Sequence, residues 1–209
     1  MLRTPSASVE ILKSFASSLA TSDAPASCDL IFVLAGRPER KPYGWRLFQS
    51  GLAPRLIFSV GRYEVRQTAI EPTPIPELLE LRDMTPPEQR HFWADFRQGK
   101  RSTSLAGIKM PGTLRELHAL TRYLAPDFPR RIAMVSTAIH LRRVRFCCGR
   151  IDAFRDSTIL FLAVPEEQSS FRQDGWWRHA AGWSYLITEY LKLAAYRLRY
   201  RRKHTAAAG

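Results

Sequence analysis

Cysteine, long apolar runs and familiar catalytic signatures are all scarce in this chain of 209 residues. It has three cysteines, Cys28, Cys147 and Cys148, with neither a CxxC pair nor a Cys/His spacing suited to zinc. Adjacent cysteines cannot bridge to each other without strain, and an odd number makes no disulfide framework. We therefore expect reduced, mostly buried thiols and a cytosolic setting.

The sequence also lacks the marks of a membrane-spanning or secreted protein. No stretch approaches the roughly 18 apolar residues that a spanning helix needs. Lys13, Ser14, Ser17 and Ser18 interrupt the start of the chain, which has no apolar core of the signal-peptide type. We expect a cytoplasmic protein, either free or peripheral to the inner membrane.

Two common site motifs are missing as well. GxGxxG is absent, so no standard dinucleotide site is predicted. GxSxG is absent, so a serine-hydrolase interpretation has no nucleophile elbow.

Positive charge is what the chain has in excess, with a formal net charge of +13 at pH 7. Hydrophobic residues make up 45% of the chain, which indicates a folded domain rather than a disordered one. The charge suggests an anionic partner, namely a phosphorylated small molecule, an anionic membrane surface or nucleic acid. No nucleic-acid-binding motif accompanies the charge, so nucleic acid is the weakest of the three interpretations.

Strand-like and helix-like segments alternate and predict an α/β fold. The predicted strands are Cys28–Ala35, Arg55–Val60, Ser104–Ile108, Ile132–Ser136 and Ser157–Val164. The predicted helices are 6–21, a helix closed by Gly51, 85–99, 112–124, one from Ala138, and 176–200. Such alternation is typical of right-handed βαβ crossovers. We predict a Rossmann-like three-layer sandwich with a mostly parallel sheet of about five strands.

We expect one domain over 1–209. Its parts are an N-terminal helix and loop (1–27), an insertion that is either a lid or a packed subdomain (62–103), and a basic C-terminal helix (176–203).

The stretch 131–144 carries the strongest site pattern. A strand buried on both faces ends at Ser136, and a helix follows directly. His140 and Arg143 are three residues apart and share a face of that helix, whereas Arg142 points away. Ligands in open α/β sheets bind outside the carboxyl ends of the strands, so these residues form a candidate site. A structural histidine on a solvated basic helix is the alternative.

Other polar residues are candidates for the same site at the carboxyl edge of the sheet. Gly36 and Arg40 come after the first strand, where an arginine binds phosphate or carboxylate or is simply solvated. Thr113 and Glu116 match a capping box, in which Thr caps the helix and Glu reaches back. The same helix start would also face the crevice and attract an anion.

The C-terminal helix combines an apolar stripe with a basic end. The stripe is explained by core packing. With five basic residues in 197–203, it also suits adsorption to an anionic membrane surface. We retain a non-enzymatic peripheral membrane or interaction protein as the second hypothesis.

The ordered set of these motifs resembles the YdcF-like family of bacterial proteins. The resembling segments, together with Arg40, are Asp29–Gly36, Gly44–Gly61, Thr113–Glu116, Val135–Arg143 and Trp183–Tyr196. The chain departs from the usual family pattern at Val60, Gly112 and Leu117.

The resemblance implies a Rossmann-like domain with charged motif residues at one sheet edge. Family members have been linked to S-adenosylmethionine binding and to cell-envelope precursor or lipid-carrier metabolism. We therefore expect an anionic, phosphorylated or nucleotide-like ligand, with S-adenosylmethionine as the cofactor that the family suggests. The expected catalytic residues are His140 and Glu116. The expected ligand-binding residues are Gly36, Arg40, Ser59, Gly61, Thr113, Ser136 and Arg143.

Overall fold

The computed structural model describes residues 7–62, 64, 76–97, 99–109, 112–172 and 174–206. The helices are α1 (Ala7–Leu19), α2 (Arg40–Gln49), α3 (Pro76–Met84), α4 (Thr113–Leu124), α5 (Ala138–Cys148) and α6 (Ala180–Ala206). The strands are β1 (Leu30–Val33), β2 (Arg55–Val60), β3 (Phe92–Arg97), β4 (Lys100–Leu105), β5 (Arg131–Ser136) and β6 (Thr158–Ala163). None of the helices within these ranges is long and apolar enough to cross a membrane.

The strands form one sheet in the order β4-β3-β2-β1-β5-β6. β2, β1, β5 and β6 pair in parallel, and β3 and β4 extend the sheet as an antiparallel pair. The prediction of an α/β fold with a mostly parallel sheet is confirmed, with six strands in place of about five. The arrangement is compatible with a Rossmann-like sandwich.

β1 is buried on both faces, as its uninterrupted apolar sequence predicts. Leu30 and Phe32 belong to the core cluster that contains the apolar residues of α4 and α5. Ile31 and Val33 belong to a second cluster, against which α2 packs. Successive side chains of a strand point to opposite faces, so this one strand anchors both halves of the core.

One predicted helix is a strand. The segment 85–99 was expected to be helical, with Thr85 as its cap, but it forms a short 3-10 turn at Pro87–Gln89 and then β3. Phe92 and Phe96 contribute to one core cluster and Trp93 to the other. Pairing with β2 along its whole length outweighs the local helical pattern, because it buries both faces of the segment.

The third predicted strand is longer and starts earlier than expected, because it pairs with β3. Ser104 and Leu105 lie in β4, whereas Ala106–Ile108 lie outside it. The left-handed Gly99, with φ of 79°, lies between the two strands.

Other local predictions are confirmed. β2 occupies the predicted residues, and Gly51 follows α2 with the left-handed φ of 78° expected of a C-terminal cap. The three thiols are free and buried. The three closely spaced prolines of 72–76 predict a rigid connector that opens a short helix. Pro76 begins α3, so the helix is confirmed, whereas Pro72 and Pro74 lie outside the described residues.

The antiparallel direction of β3 matters for the site. Its first residue, Phe92, pairs with Val60 at the carboxyl end of β2. His91, immediately before β3, therefore reaches the same sheet edge as the carboxyl ends of β1, β2 and β5.

Candidate functional site

A cavity of about 660 Å³ opens at this carboxyl edge. Seven of the predicted site residues line it: Gly36, Arg40, Gly61, Thr113, Glu116, His140 and Arg143. The other two, Ser59 and Ser136, are fully buried and hydrogen-bond to Glu116 and His140. The structure therefore gathers all nine predicted residues around one space.

Gly36 and Arg40 form one wall of this cavity. Gly36 has φ of 129°, and a Cβ built on it would lie 2.8 Å from Arg40 Nη1, so only glycine fits without displacing the guanidinium. Arg40 is 4% exposed and donates to the Ala35 carbonyl and, over 3.2 Å, to Thr137 Oγ1. These bonds hold a buried cation at the end of β1.

The predicted capping box is wrong. The N-cap of α4 is Gly112, and Thr113 is the first helical residue, with its hydroxyl directed elsewhere. Glu116 does not reach back along its own helix but accepts a hydrogen bond from the Ala35 backbone N–H, over 2.9 Å. That N–H lies just beyond β1, and a carboxylate from α4 satisfies it across the sheet edge.

Glu116 is 6% exposed and lines the cavity. Burial raises the pKa of its carboxyl, and the hydrogen bonds from Ser59 and Ala35 only partly oppose this. Both of those bonds end on Oε1, and among the described residues none reaches Oε2. Glu116 thus combines a raised pKa with one oxygen that no described residue engages, which suits a group that gives or takes a proton.

His91 is a cavity residue that the sequence did not indicate, because its segment was taken for a helix. Its Nε2 lies 2.7 Å from Ser59 Oγ, which donates to Glu116 Oε1 over 2.5 Å. Burial lowers the pKa of His91 to about 4. His91, Ser59 and Glu116 therefore form a hydrogen-bonded chain that connects two cavity-lining titratable groups through a buried hydroxyl.

His140 lies in a second network. Its Nδ1 is 2.7 Å from Ser136 Oγ, and its Nε2 is 3.2 Å from Thr113 Oγ1. Burial, with the nearby Arg143 charge, holds the pKa of His140 well below its usual range. The ring is neutral at pH 7 and engages a hydroxyl through each nitrogen, so it joins α5 to α4 and to the end of β5.

Arg143 shares the predicted face with His140, and its guanidinium is held by protein groups. Nε and Nη2 each donate over 2.9 Å to the two carboxylate oxygens of Glu189, and Nη1 donates to Thr113 Oγ1. Arg143 is 7% exposed and Glu189 is 5% exposed. Arg143 is therefore a positioning residue, which holds Glu189 of α6 and Thr113 of α4 in place. The sequence analysis did not predict Glu189 as its partner, although Glu189 is the single acidic residue of the otherwise basic α6.

The charge around the cavity is unbalanced toward positive. Six cationic side chains line the cavity against four carboxylates, namely Glu64, Glu88, Glu116 and Glu189. Glu64 also pairs with Lys41 outside the lining, and Glu189 pairs with Arg143. Arg37, Arg40 and Arg90 also line the cavity, and within the described ranges no carboxylate lies within 4.0 Å of them. These cations are expected to attract an anion into the cavity.

Replacing Glu116 with glutamine is expected to change how stability depends on pH. The raised pKa means that the folded wild type keeps a proton that the unfolded chain loses above about pH 4.5. The stability that Glu116 contributes should therefore decrease as pH rises from there through the folded pKa, and Glu116→Gln should lack this pH-dependent contribution, so the difference between the two proteins changes with pH. Urea unfolding of both proteins between pH 4.5 and 8.5 measures it. Parallel profiles would contradict a raised pKa at Glu116.

Among the described residues no group of three or more His, Cys, Asp or Glu side chains is placed to hold a metal ion.

Comparison with known proteins adds no relative to this picture. No protein-family model, no curated protein and no solved structure matches the chain.

Proposed function

We propose that this protein is a cytoplasmic, YdcF-like α/β protein that binds an anionic, phosphorylated or nucleotide-like small molecule in the cavity at the carboxyl edge. The observation that carries the proposal is the presence of Arg37, Arg40 and Arg90 around the cavity, none of which has a carboxylate within ion-pair distance among the described residues. A bound phosphate would supply the missing negative charge. Guanidinium groups suit it because they donate in a fork that matches phosphate oxygens.

The start of α4 supports the same ligand class. Gly112 and Thr113 line the cavity, so the first turn of a twelve-residue helix borders the ligand space. Backbone N–H groups and the helix dipole at such a position favour negative charge.

The same charge weighs against S-adenosylmethionine, the cofactor that the family resemblance suggests. Its sulfonium is a cation and would be repelled by Arg37, Arg40 and Arg90. Phosphate esters, including nucleotides and phosphorylated lipid carriers, fit the cavity electrostatics better.

The proposed three-layer, Rossmann-like arrangement is supported by the division of β1 side chains between two core clusters. One contains residues of α4 and α5, and α2 packs on the other. In such folds the crevice beyond the carboxyl ends of the strands is the usual ligand site.

Within this cavity Glu116 is the group best suited to transfer a proton. Its Oε2 has no hydrogen-bond partner among the described residues, and its Oε1 is connected through Ser59 to His91. Because the pKa of His91 is about 4 and that of Glu116 is raised, a proton taken up by this hydrogen-bonded chain resides on Glu116 and not on His91. His140, whose ring nitrogens both engage protein hydroxyls, positions Thr113 and Ser136 instead.

Ligand binding should appear as a thermal shift that depends on the cavity arginines. The panel is S-adenosylmethionine, nucleotides, sugar phosphates, inorganic phosphate and a short-chain polyprenyl phosphate. A ligand at 100 times its dissociation constant stabilises by about 2.7 kcal/mol, which is easily detected. Arg37→Gln and Arg90→Gln should each weaken binding about tenfold, because a charge-assisted hydrogen bond is worth about 1.5–3 kcal/mol.

Arg122→Gln is the matched control, since Arg122 is exposed on α4 and does not line the cavity. It should leave the shift unchanged. A shift with a phosphorylated ligand that both cavity variants retain would place binding elsewhere. A shift with S-adenosylmethionine alone would contradict the charge argument.

A further inference from the structure

Helices α1 and α6 both pack on α5 and meet each other at Tyr190. Tyr190 joins them, since its hydroxyl donates to the Phe15 carbonyl over 2.7 Å and its ring meets that of Phe15 edge-on, 6.4 Å apart. Beneath this contact Ala16, Leu186 and Leu193 belong to a shared apolar cluster. The inner side of the pair is therefore packed.

The outer face of α1 and α6 is apolar but exposed. We define it by Ile11 (58% exposed), Phe15 (51%), Trp183 (41%), Ile187 (48%), Leu191 (65%) and Leu198 (61%). Only three large apolar side chains elsewhere among the described residues are exposed: Leu79, Met84 and Leu105. The four α6 residues of the face follow at intervals of four, four and seven, so they form one continuous stripe along the helix.

Basic side chains border this stripe on both sides. Arg142 and Arg197 line the groove between α1 and α6, and neither has a carboxylate within 4.0 Å in the described part of the chain. On the other side, Arg199 directly follows Leu198 in sequence, one helical step around, whereas Lys192 is turned toward the cavity and lies 3.7 Å from Glu189. The only acid of α6, Glu189, is buried against Arg143. An exposed apolar stripe with bases along both borders is typical of helices that lie in a membrane interface.

We propose that the outer face of α1 and α6 docks on an anionic lipid bilayer. The apolar side chains enter the boundary between headgroups and acyl chains, and the bordering arginines Arg142, Arg197 and Arg199 contact lipid phosphates. A second copy of this chain fits the surface less well, because a two-fold interface here would bring the same bases together. Nucleic acid would engage the charge but would leave the exposed leucines and isoleucines in water.

Sedimentation of the full chain with lipid vesicles tests the proposal. The protein should bind vesicles of phosphatidylcholine and phosphatidylglycerol (3:1) at 150 mM salt and bind phosphatidylcholine vesicles far less. Leu191→Ser/Leu198→Ser should weaken binding to the anionic vesicles at least tenfold, since both side chains lose apolar contact with lipid. Arg142→Gln/Arg197→Gln should weaken it roughly thirtyfold, because each base near an anionic surface contributes.

Leu79→Ser/Met84→Ser is the matched control, because it also replaces two exposed apolar residues, on α3, and should leave vesicle binding unchanged. Circular dichroism of each variant should be measured as well, to verify that the variant is folded. Equal binding of the folded Leu191→Ser/Leu198→Ser variant would overturn the proposal, as would absence of binding to the anionic vesicles. A dimer in sedimentation equilibrium that this variant dissociates, without vesicle binding by the wild type, would assign the face to a second copy instead.

Discussion

Replacing Arg143 with methionine should lower the free energy of unfolding by about 3–5 kcal/mol, because it leaves the Glu189 carboxylate buried without its partner. Both side chains are less than 10% exposed, and two hydrogen bonds of 2.9 Å join them. Lys192 Nζ, 3.7 Å from Glu189, is too remote and too exposed to replace the guanidinium. Urea unfolding monitored by tryptophan fluorescence measures the change.

Arg145→Met supplies the control on the same helix. Arg145 pairs with Asp23 over 2.8 Å, but the two side chains are 47% and 34% exposed. Solvent screens such a pair, so its loss should lower stability by about 1 kcal/mol or less. The double variant Arg143→Met/Glu189→Leu should recover much of the loss, because no unpaired charge remains. Equal effects of the two arginine replacements would refute the view that Arg143 is a buried positioning residue.

Acidification from pH 6.5 to pH 4 should destabilise the protein steeply, with about 3 kcal/mol arising from His91 alone. Burial holds the pKa of His91 at about 4 in the folded protein, against 6.5 in an unfolded chain. Between these values the unfolded chain binds a proton that the folded protein does not. The stability that His91 contributes is therefore fully present above pH 6.5 and is lost as pH falls toward 4. His140, with its pKa also lowered by burial, acts in the same direction.

His91→Gln isolates this contribution. Glutamine keeps a polar group near Ser59 but does not titrate, so the variant's loss of stability between pH 6.5 and pH 4 should be smaller by about 3 kcal/mol. His179→Gln is the matched control, since His179 is exposed and does not line the cavity. Its profile should follow that of the wild type. A His91→Gln profile that also follows the wild type would mean that His91 titrates normally in the folded protein.

The error at β3 shows where local sequence patterns stop being informative. The segment 85–99 begins with a threonine and two prolines, which are typical of a helix start. Its conformation is decided by β2, which pairs with β3 from Arg55 to Val60 and lies more than thirty residues away in sequence. Because His91 was assigned to this segment, its place at the cavity could not be predicted either.

Glu116 illustrates the same limit for a single side chain. Thr113 and Glu116 match the capping pattern, yet the carboxylate bonds to Ala35 and Ser59, 81 and 57 residues away. A capping box and a cross-sheet contact require the same residue types. Only the approach of α4 to the end of β1 distinguishes them.

Residue patterns along the chain were enough to predict most of the buried strands, the amphipathic helices and the sheet edge at which polar residues collect. Apolar runs identify strands buried on both faces, and parallel strands end at a common edge, so Gly36, Arg40, His140 and Arg143 were expected together. The hydrogen-bond partner of each polar side chain at that edge became known only from the folded arrangement. Arg143 is occupied by Glu189, 46 residues away, and His91 arrives through an antiparallel strand. A hydrogen bond depends on distance and direction to within a fraction of an ångström, and spacing along the chain does not specify either for residues brought together by folding.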